Sequence, residues 1–192
     1  KNITIETIDQ LNSWPTKNFE SSRYWREYIS SRSIGYSNQV KLDFSLIETR
    51  GKYIGIHIRG TDRIVDSNTG HPGFQTVKDL DESILNTKNY LLENNCNLPL
   101  VIFSEDLSLK KRLINELHMF EIINLPIVEN IDFEYQDLYN LSKSERIIMC
   151  SKFSTFALTA AALGNTKIVN FFSDNRQLLR TWDLEYLDFP KT

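Results

Sequence analysis

Cysteine is scarce in this chain: Cys96 and Cys150 are the only two among 192 residues. Two thiols cannot supply a disulfide framework or a four-cysteine zinc site. The plain reading is a pair of reduced, partly buried thiols, and a disulfide between them is the alternative. No apolar run approaches the roughly 20 residues that a membrane-spanning helix needs. No secretory signal pattern opens the sequence, which begins at Lys1 rather than Met, as a processed chain or a fragment would. Positive charge is not in excess either: 22 Lys and Arg stand against 25 Asp and Glu, a net charge of −3 with a pI near 5.7. A general nucleic-acid binder needs clustered Lys and Arg to displace counterions from phosphate, so nucleic acid is not expected as a partner. Any anionic ligand must instead be held by a few focused cations. The sequence also lacks internal repeats, low-complexity stretches and a His pair with the spacing of metal ligands.

What is present is an ordinary globular composition, 41% hydrophobic and 24% charged, with a length that holds one full domain and about fifty further residues. From Tyr53 onward, short β-rich runs alternate with helical patterns. That order is the signature of a parallel sheet covered by helices on both faces. The expected strands are Tyr53–Ile58, Leu100–Phe103, Glu121–Ile123, Ile147–Met149 and Lys167–Phe171. Val77, Leu80, Ile84 and Leu91 lie on one helical stripe, and Leu109, Leu113 and Leu117 follow at i, i+4, i+8. A short helical stretch is expected near Asp137–Leu141, and an alanine-rich helix over Ser154–Leu163 with Gly164-Asn165 as its stop. The fold class is therefore α/β, a Rossmann-like open parallel sheet of about five strands. Residues 1–50 carry an aromatic helical face (Phe19, Tyr24, Trp25, Tyr28) and read as a helical extension or the remnant of an N-terminal domain. Residues 51–172 form the Rossmann-like domain, and 173–192 are expected as a C-terminal helical tail.

In such a sheet the ligand crevice lies beyond the carboxyl ends of the strands, where loops and helix N-termini present unpaired N–H groups. The first strand leaves through His57-Ile58-Arg59-Gly60-Thr61-Asp62-Arg63. Strand alternation puts His57 and Arg59 on one face, and an arginine fork suits a diphosphate. The alternative is that Arg59 and Asp62 form a surface ion pair and His57 is a satisfied strand-end histidine. The second strand ends in Ser104-Glu105-Asp106, a helical crossover opens at Asp137, and the fourth strand runs into Ser151 to Thr155. Ser and Asp at such places are also ordinary helix caps, so each group taken alone has two readings.

These residues carry a resemblance. HIRGTDRIVDSNTGHP, His57 to Pro72, resembles the first motif of the GDP-fucose-dependent α-1,6-fucosyltransferases and their nodulation-protein relatives, H-x-R-x-T-D followed at the same distance by His-Pro. FSEDLSLKK (Phe103–Lys111) resembles the T-D-D-P-S segment of that family, and DLYNLSKSERIIMCSKFST (Asp137–Thr155) its third block. Ser154-Thr155-Phe156 with Ala160 and Ala161 resembles the related α-1,2-fucosyltransferases. The resemblance implies the second domain of a GT-B-like fold and an inverting, metal-independent transfer of fucose from GDP-fucose to a glycan hydroxyl, with no further cofactor. It implies that His57 contacts the nucleotide, Arg59 the β-phosphate, Asp137 the guanine, and Ser154 and Thr155 the diphosphate. Asp62, Ser104, Glu105 and Phe156 complete the expected nucleotide site. A microbial source would imply the cytoplasm, a eukaryotic one the lumen of the secretory pathway.

The sequence departs from the family pattern at two informative places. Gly60 stands where a second arginine is common, and Ser67 stands where the α-1,6 enzymes carry a glutamate proposed as general base. Asp66, one position earlier, is then the expected base, provided it reaches the acceptor hydroxyl. Two other functions fit the same fold: transfer from a different nucleotide sugar, and a nucleotide-binding or scaffold module without catalysis.

Overall fold

A computed structural model describes residues 51–60, 63–67, 74–127, 133–172 and 187–188. Expectations that fall on residues 1–50, on Asp62 and on His71-Pro72 lie outside the described residues, as does the tail expected over 173–192 apart from residues 187–188.

Nine elements follow one another along the described chain: β1 (Ile54–His57), α1 (Val77–Glu93), β2 (Leu100–Phe103), α2 (Leu107–Glu116), α3 (Phe133–Ser142), β3 (Arg146–Met149), α4 (Thr155–Gly164), β4 (Ile168–Val169) and β5 (Leu187–Asp188). The sheet order is β2-β1-β3-β4-β5, and every pairing is parallel. The register aligns His57 with both Phe103 and Met149, so β1, β2 and β3 end at one level. All of β1 and β2 is buried, as continuous apolar runs in a doubly covered parallel sheet should be.

Alternation along the strands divides the core in two. Tyr53, Phe103, Ile147 and Met149 face α3 and α4 with Leu138, Leu141 and Leu158. Ile54, Ile56, Ile102 and Ile148 face α1 and α2 with Leu80, Leu91 and Leu113. The expected layered α/β architecture is thus present, with helices on both faces.

Four of the five expected strands form. The exception is Glu121–Ile123, which contributes a single bridge, Ile122 to Leu100, on the outer edge of β2. Its backbone begins a ladder, with Leu100 N–H donating to Glu121 O at 2.8 Å and Ile123 N–H to Leu100 O at 2.9 Å. Asn124, Leu125 and Pro126 follow, and a proline has no N–H with which to extend a ladder. Within the stretch expected as a helical tail, Leu187–Asp188 form β5 against β4.

Helix ends follow local chemistry. Thr76 and Asp79 form a reciprocal capping box at the start of α1. Asp106 caps α2 through Ser108 N–H and Leu109 N–H, and Ser154 caps α4 through Ala157 N–H at 3.4 Å. The expected stop of α4 divides its labour. Asn165 takes the left-handed conformation with φ of 52°, while a side chain at Gly164 would place a Cβ 1.7 Å from the Ser142 carbonyl oxygen at the end of α3.

Candidate functional site

Because β1, β2 and β3 finish level, their exits converge above the sheet. An open cleft of about 260 Å³ lies there, over the carboxyl ends of β1 and β2. His57 and Arg59 reach it from β1, Ser104 and Glu105 from β2, Asp137 from α3, and Phe156 from the first turn of α4. Six of the expected site residues are thus brought together. A second compartment of about 180 Å³ shares Phe103, Phe133 and Asp137 with the first and extends to Lys110 and Asn140. A wider depression of about 510 Å³ lies at the opposite edge, beside Arg146 and Lys167. It borders the C-terminal ends of α3 and α4, where the helix dipole carries negative partial charge, so it lacks the electrostatics of an anion site built on helix starts.

His57 is buried and its ring stacks on Phe156, with centroids 5.4 Å apart and planes at 22°. Burial, assisted by the positive charge of Arg59, pulls its pKa down to about 3. The imidazole is therefore neutral at physiological pH, offering one donor and one acceptor but no charge. Its buried Nδ1 has no hydrogen-bond partner among the described residues.

Arg59 is the only Lys or Arg among the described residues lining the cleft. It has left the strand ladder, yet both of its backbone groups are held by side chains. Its N–H donates to Ser151 Oγ at 2.7 Å, and its carbonyl accepts from Gln75 Nε2 at 3.1 Å. Gln75 Oε1 in turn accepts from Lys152 N–H at 2.9 Å, and Asn170 Nδ2 donates to Ser151 O at 3.0 Å. The Ser151 hydroxyl and the Gln75 amide thus continue the β1–β3 pairing beyond the last strand residue, and the Asn170 amide does the same between β3 and β4.

Gly60 follows, buried, with its N–H donating to Glu105 Oε1 at 2.7 Å. A Cβ here would sit 2.5 Å from the Asp106 Cβ. The glycine therefore serves the close approach of the β1 and β2 exits. Ser104 is buried, and its Oγ accepts from Asp106 N–H at 3.1 Å, so this hydroxyl is engaged in shaping the turn into α2.

Asp137 stands where the two compartments meet. Burial raises its carboxyl pKa to about 7, with Lys110 opposing the shift and Glu134 adding to it. One turn further along α3, Asn140 is buried and its Oδ1 has no partner among the described residues.

Other expected residues lie elsewhere. Ser154 is fully buried as the α4 cap, and neither it nor Thr155 lines the cleft. Asp66, the expected base, is exposed in the loop after β1 and does not line the cleft. Asp62 lies outside the described residues. Gln75, Phe103, Phe133 and Asn140 were missed in the sequence. Phe103 was detectable as the last residue of a strand, but nothing in the pattern around Gln75 marks it. Among the described residues no group of three or more His, Cys, Asp and Glu is placed to hold a metal ion, and no helix is long and apolar enough to cross a membrane.

No family model matches the sequence, and no curated protein matches it. Among solved structures the chain is similar to the apo form of POFUT1, with a TM-score of 0.51 and 12% identity over 80% of this chain and 50% of that one. It also matches POFUT1 in complex with GDP-fucose, with a TM-score of 0.48 and 10% identity over 79% of this chain and 49% of that one. The chain thus spans about half the length of the structures it matches. At this identity the likeness establishes the fold.

Proposed function

We propose that this chain binds GDP-fucose in the cleft above β1 and β2 and serves as the donor half of an inverting fucosyltransferase that needs no metal. One observation carries the reading: Arg59, the neutral His57 and the half-buried carboxyl of Asp137 line one cleft at the carboxyl ends of parallel strands. The fold shared with POFUT1 and the three ordered motifs of the sequence support it. In the reaction the acceptor hydroxyl oxygen bonds to the anomeric carbon of fucose as the bond from that carbon to the β-phosphate oxygen breaks. GDP departs with the bonding pair, and the acceptor proton passes to a base, for which Asp66 is the proposed residue. Arg59 balances the charge that grows on the leaving diphosphate, and His57 supplies a hydrogen bond without a charge. Asp137 and Asn140 offer acceptors to the N–H edge of guanine.

Calorimetric titration with GDP, UDP and CDP tests the donor assignment directly. GDP is expected to bind most tightly, and no binding of GDP at millimolar concentration would remove the reading. A second reading, nucleotide binding without transfer, is favoured by the exposure of Asp66 outside the cleft. GDP binding with neither hydrolysis nor transfer from GDP-fucose would establish it.

The raised pKa of Asp137 makes a signed prediction. Only the ionised carboxylate accepts two N–H groups, and the empty protein holds that form in a minority below pH 7. Affinity for GDP-fucose should therefore increase about tenfold from pH 6 to pH 8 and level off above, following the fraction of competent protein. GDP-fucose is the suitable probe because both of its phosphates are esterified and keep one charge each across this range. Folding stability runs the other way. A carboxyl whose folded pKa lies above its unfolded value favours the fold when protonated, and this contribution fades as pH rises through 7. Asp137→Asn should flatten the binding profile, and an Asn variant that keeps the wild-type slope would remove Asp137 from base recognition.

A further inference from the structure

Gln75 belongs to no motif and does not line the cleft, yet it is 2% exposed and both ends of its side-chain amide are engaged. Its Nε2 donates to the carbonyl of Arg59 at 3.1 Å, and its Oε1 accepts from the N–H of Lys152 at 2.9 Å. Its backbone closes the loop that follows β1, with Val65 N–H donating to Gln75 O and Gln75 N–H to Arg63 O, each at 2.9 Å. Thr76, the next residue, caps α1. A buried amide anchored on a helix start therefore joins three pieces: the exit of β1, the exit of β3, and both ends of the loop that carries Asp66.

The direction in which the Arg59 side chain leaves the backbone is set by the peptide planes on either side of its Cα. Ser151 fixes one plane through the Arg59 N–H, and Gln75 fixes the other through the Arg59 carbonyl. Beyond the last ladder residue no neighbouring strand does this. From this geometry we infer that Gln75 is a positioning residue for phosphate recognition, holding the Arg59 guanidinium in register with the diphosphate. The inference rests on the proposed binding of GDP through Arg59. Unlike a residue that merely fills the core, Gln75 acts on the phosphate end of the ligand and leaves the base end alone.

The test compares wild type with Gln75→Met, which keeps length and removes both hydrogen bonds, and with Gln75→Glu, which keeps the acceptor for Lys152 and loses the donor to Arg59. GDP affinity is measured by calorimetry, and guanosine affinity by ligand-observed NMR. Each variant is also combined with Arg59→Ala. A small misplacement of a binding group is costly, so GDP affinity should drop at least about tenfold. Guanosine affinity should stay unchanged, and the double variants should bind GDP no more weakly than Arg59→Ala alone. GDP affinity equal to wild type, parallel losses for GDP and guanosine, or losses that add to those of Arg59→Ala would each overturn the inference. Should Gln75→Met fail to fold, Gln75→Glu decides by the same comparison. A wild type that does not bind GDP removes the functional reading and this inference together, whereas a binding wild type with unaltered variants removes only the latter.

Discussion

Replacing Arg59 by alanine should weaken GDP binding by about 2–4 kcal/mol, roughly thirtyfold to a thousandfold, the loss expected when one partner of a desolvated charge pair is removed. The size follows from what remains. Burial keeps His57 neutral down to a pKa of about 3, so it cannot take over the charge. Glu105, Glu134 and Asp137 also line the cleft, and without the guanidinium an approaching diphosphate would meet carboxyls and no cation among the described lining residues. Lys110 reaches the adjoining compartment rather than this one. Because the Arg59 backbone is held by Ser151 and Gln75, truncating the side chain should leave the loop in place, so the loss reports on charge and not on refolding. Arg59→Lys should recover only part of it, since an ammonium cannot reproduce the planar two-point fork. Calorimetry on both variants, with thermal midpoints as a folding control, checks this. GDP affinity for Arg59→Ala equal to wild type would show that the diphosphate is not held here.

The fold was readable because burial on both faces of a parallel sheet writes continuous apolar runs into the sequence. Ile54 to His57, Leu100 to Phe103 and Ile147 to Met149 stand out for that reason. Where a run is short, the next residues decide, and sequence pattern weighs them poorly. Glu121–Ile123 starts hydrogen bonding as a strand does, but the chain turns to Asn124 and Pro126 and pairing ends at one bridge. Lys167–Phe171 pairs only at Ile168 and Val169, and past them the link to β3 passes to a side chain, with Asn170 Nδ2 donating to the carbonyl of Ser151. The helix expected near Asp137–Leu141 begins earlier, at Phe133, which places Asp137 on the second turn, deep enough for burial to raise its pKa.

The site was legible to the extent that topology is: residues at strand ends meet once the strands are parallel and level, which is how His57, Arg59, Ser104 and Glu105 come together, and Asp137 joins them from α3. What topology does not specify is which polar groups point at the crevice and which hold the walls. Ser104 and Ser154 occupy ligand-like places and spend their hydroxyls on a turn and a cap. Gln75 is separated from Lys152 by 77 positions, and a contact of that range leaves no local pattern. The shift of Asp137 likewise comes mainly from its burial as α3 packs, with Lys110 of α2 opposing it, and no stretch of sequence states that packing.

Gly60 allows two opposite forecasts, and magnitudes choose between them. The fucosyltransferase motif that His57 to Pro72 resembles commonly holds a second arginine at this place, so electrostatics alone forecasts that Gly60→Arg would tighten GDP binding. An additional partly solvated cation contributes at most about 1 kcal/mol. Against this, any side chain at Gly60 puts a Cβ 2.5 Å from the Cβ of Asp106 and 3.0 Å from its Oδ2. The exits of β1 and β2 would have to part, stretching the bond from Gly60 N–H to Glu105 Oε1 and displacing the Asp106 cap from Ser108 and Leu109. Overpacking of this kind costs about 1–3 kcal/mol and a lost cap about 1 kcal/mol more. The steric effect wins, and it falls one residue from Arg59. Gly60→Arg should therefore lower the thermal midpoint by about 5–10 °C, as roughly 2–4 kcal/mol does in a chain of this size, and GDP should bind more weakly than to wild type. Gly60→Ala separates the causes: it adds the Cβ without the charge and should produce most of the loss in stability. If Gly60→Arg instead keeps the wild-type midpoint and binds GDP more tightly, the two strand exits have room between them, and the missing cation, not the close approach, is what distinguishes this site.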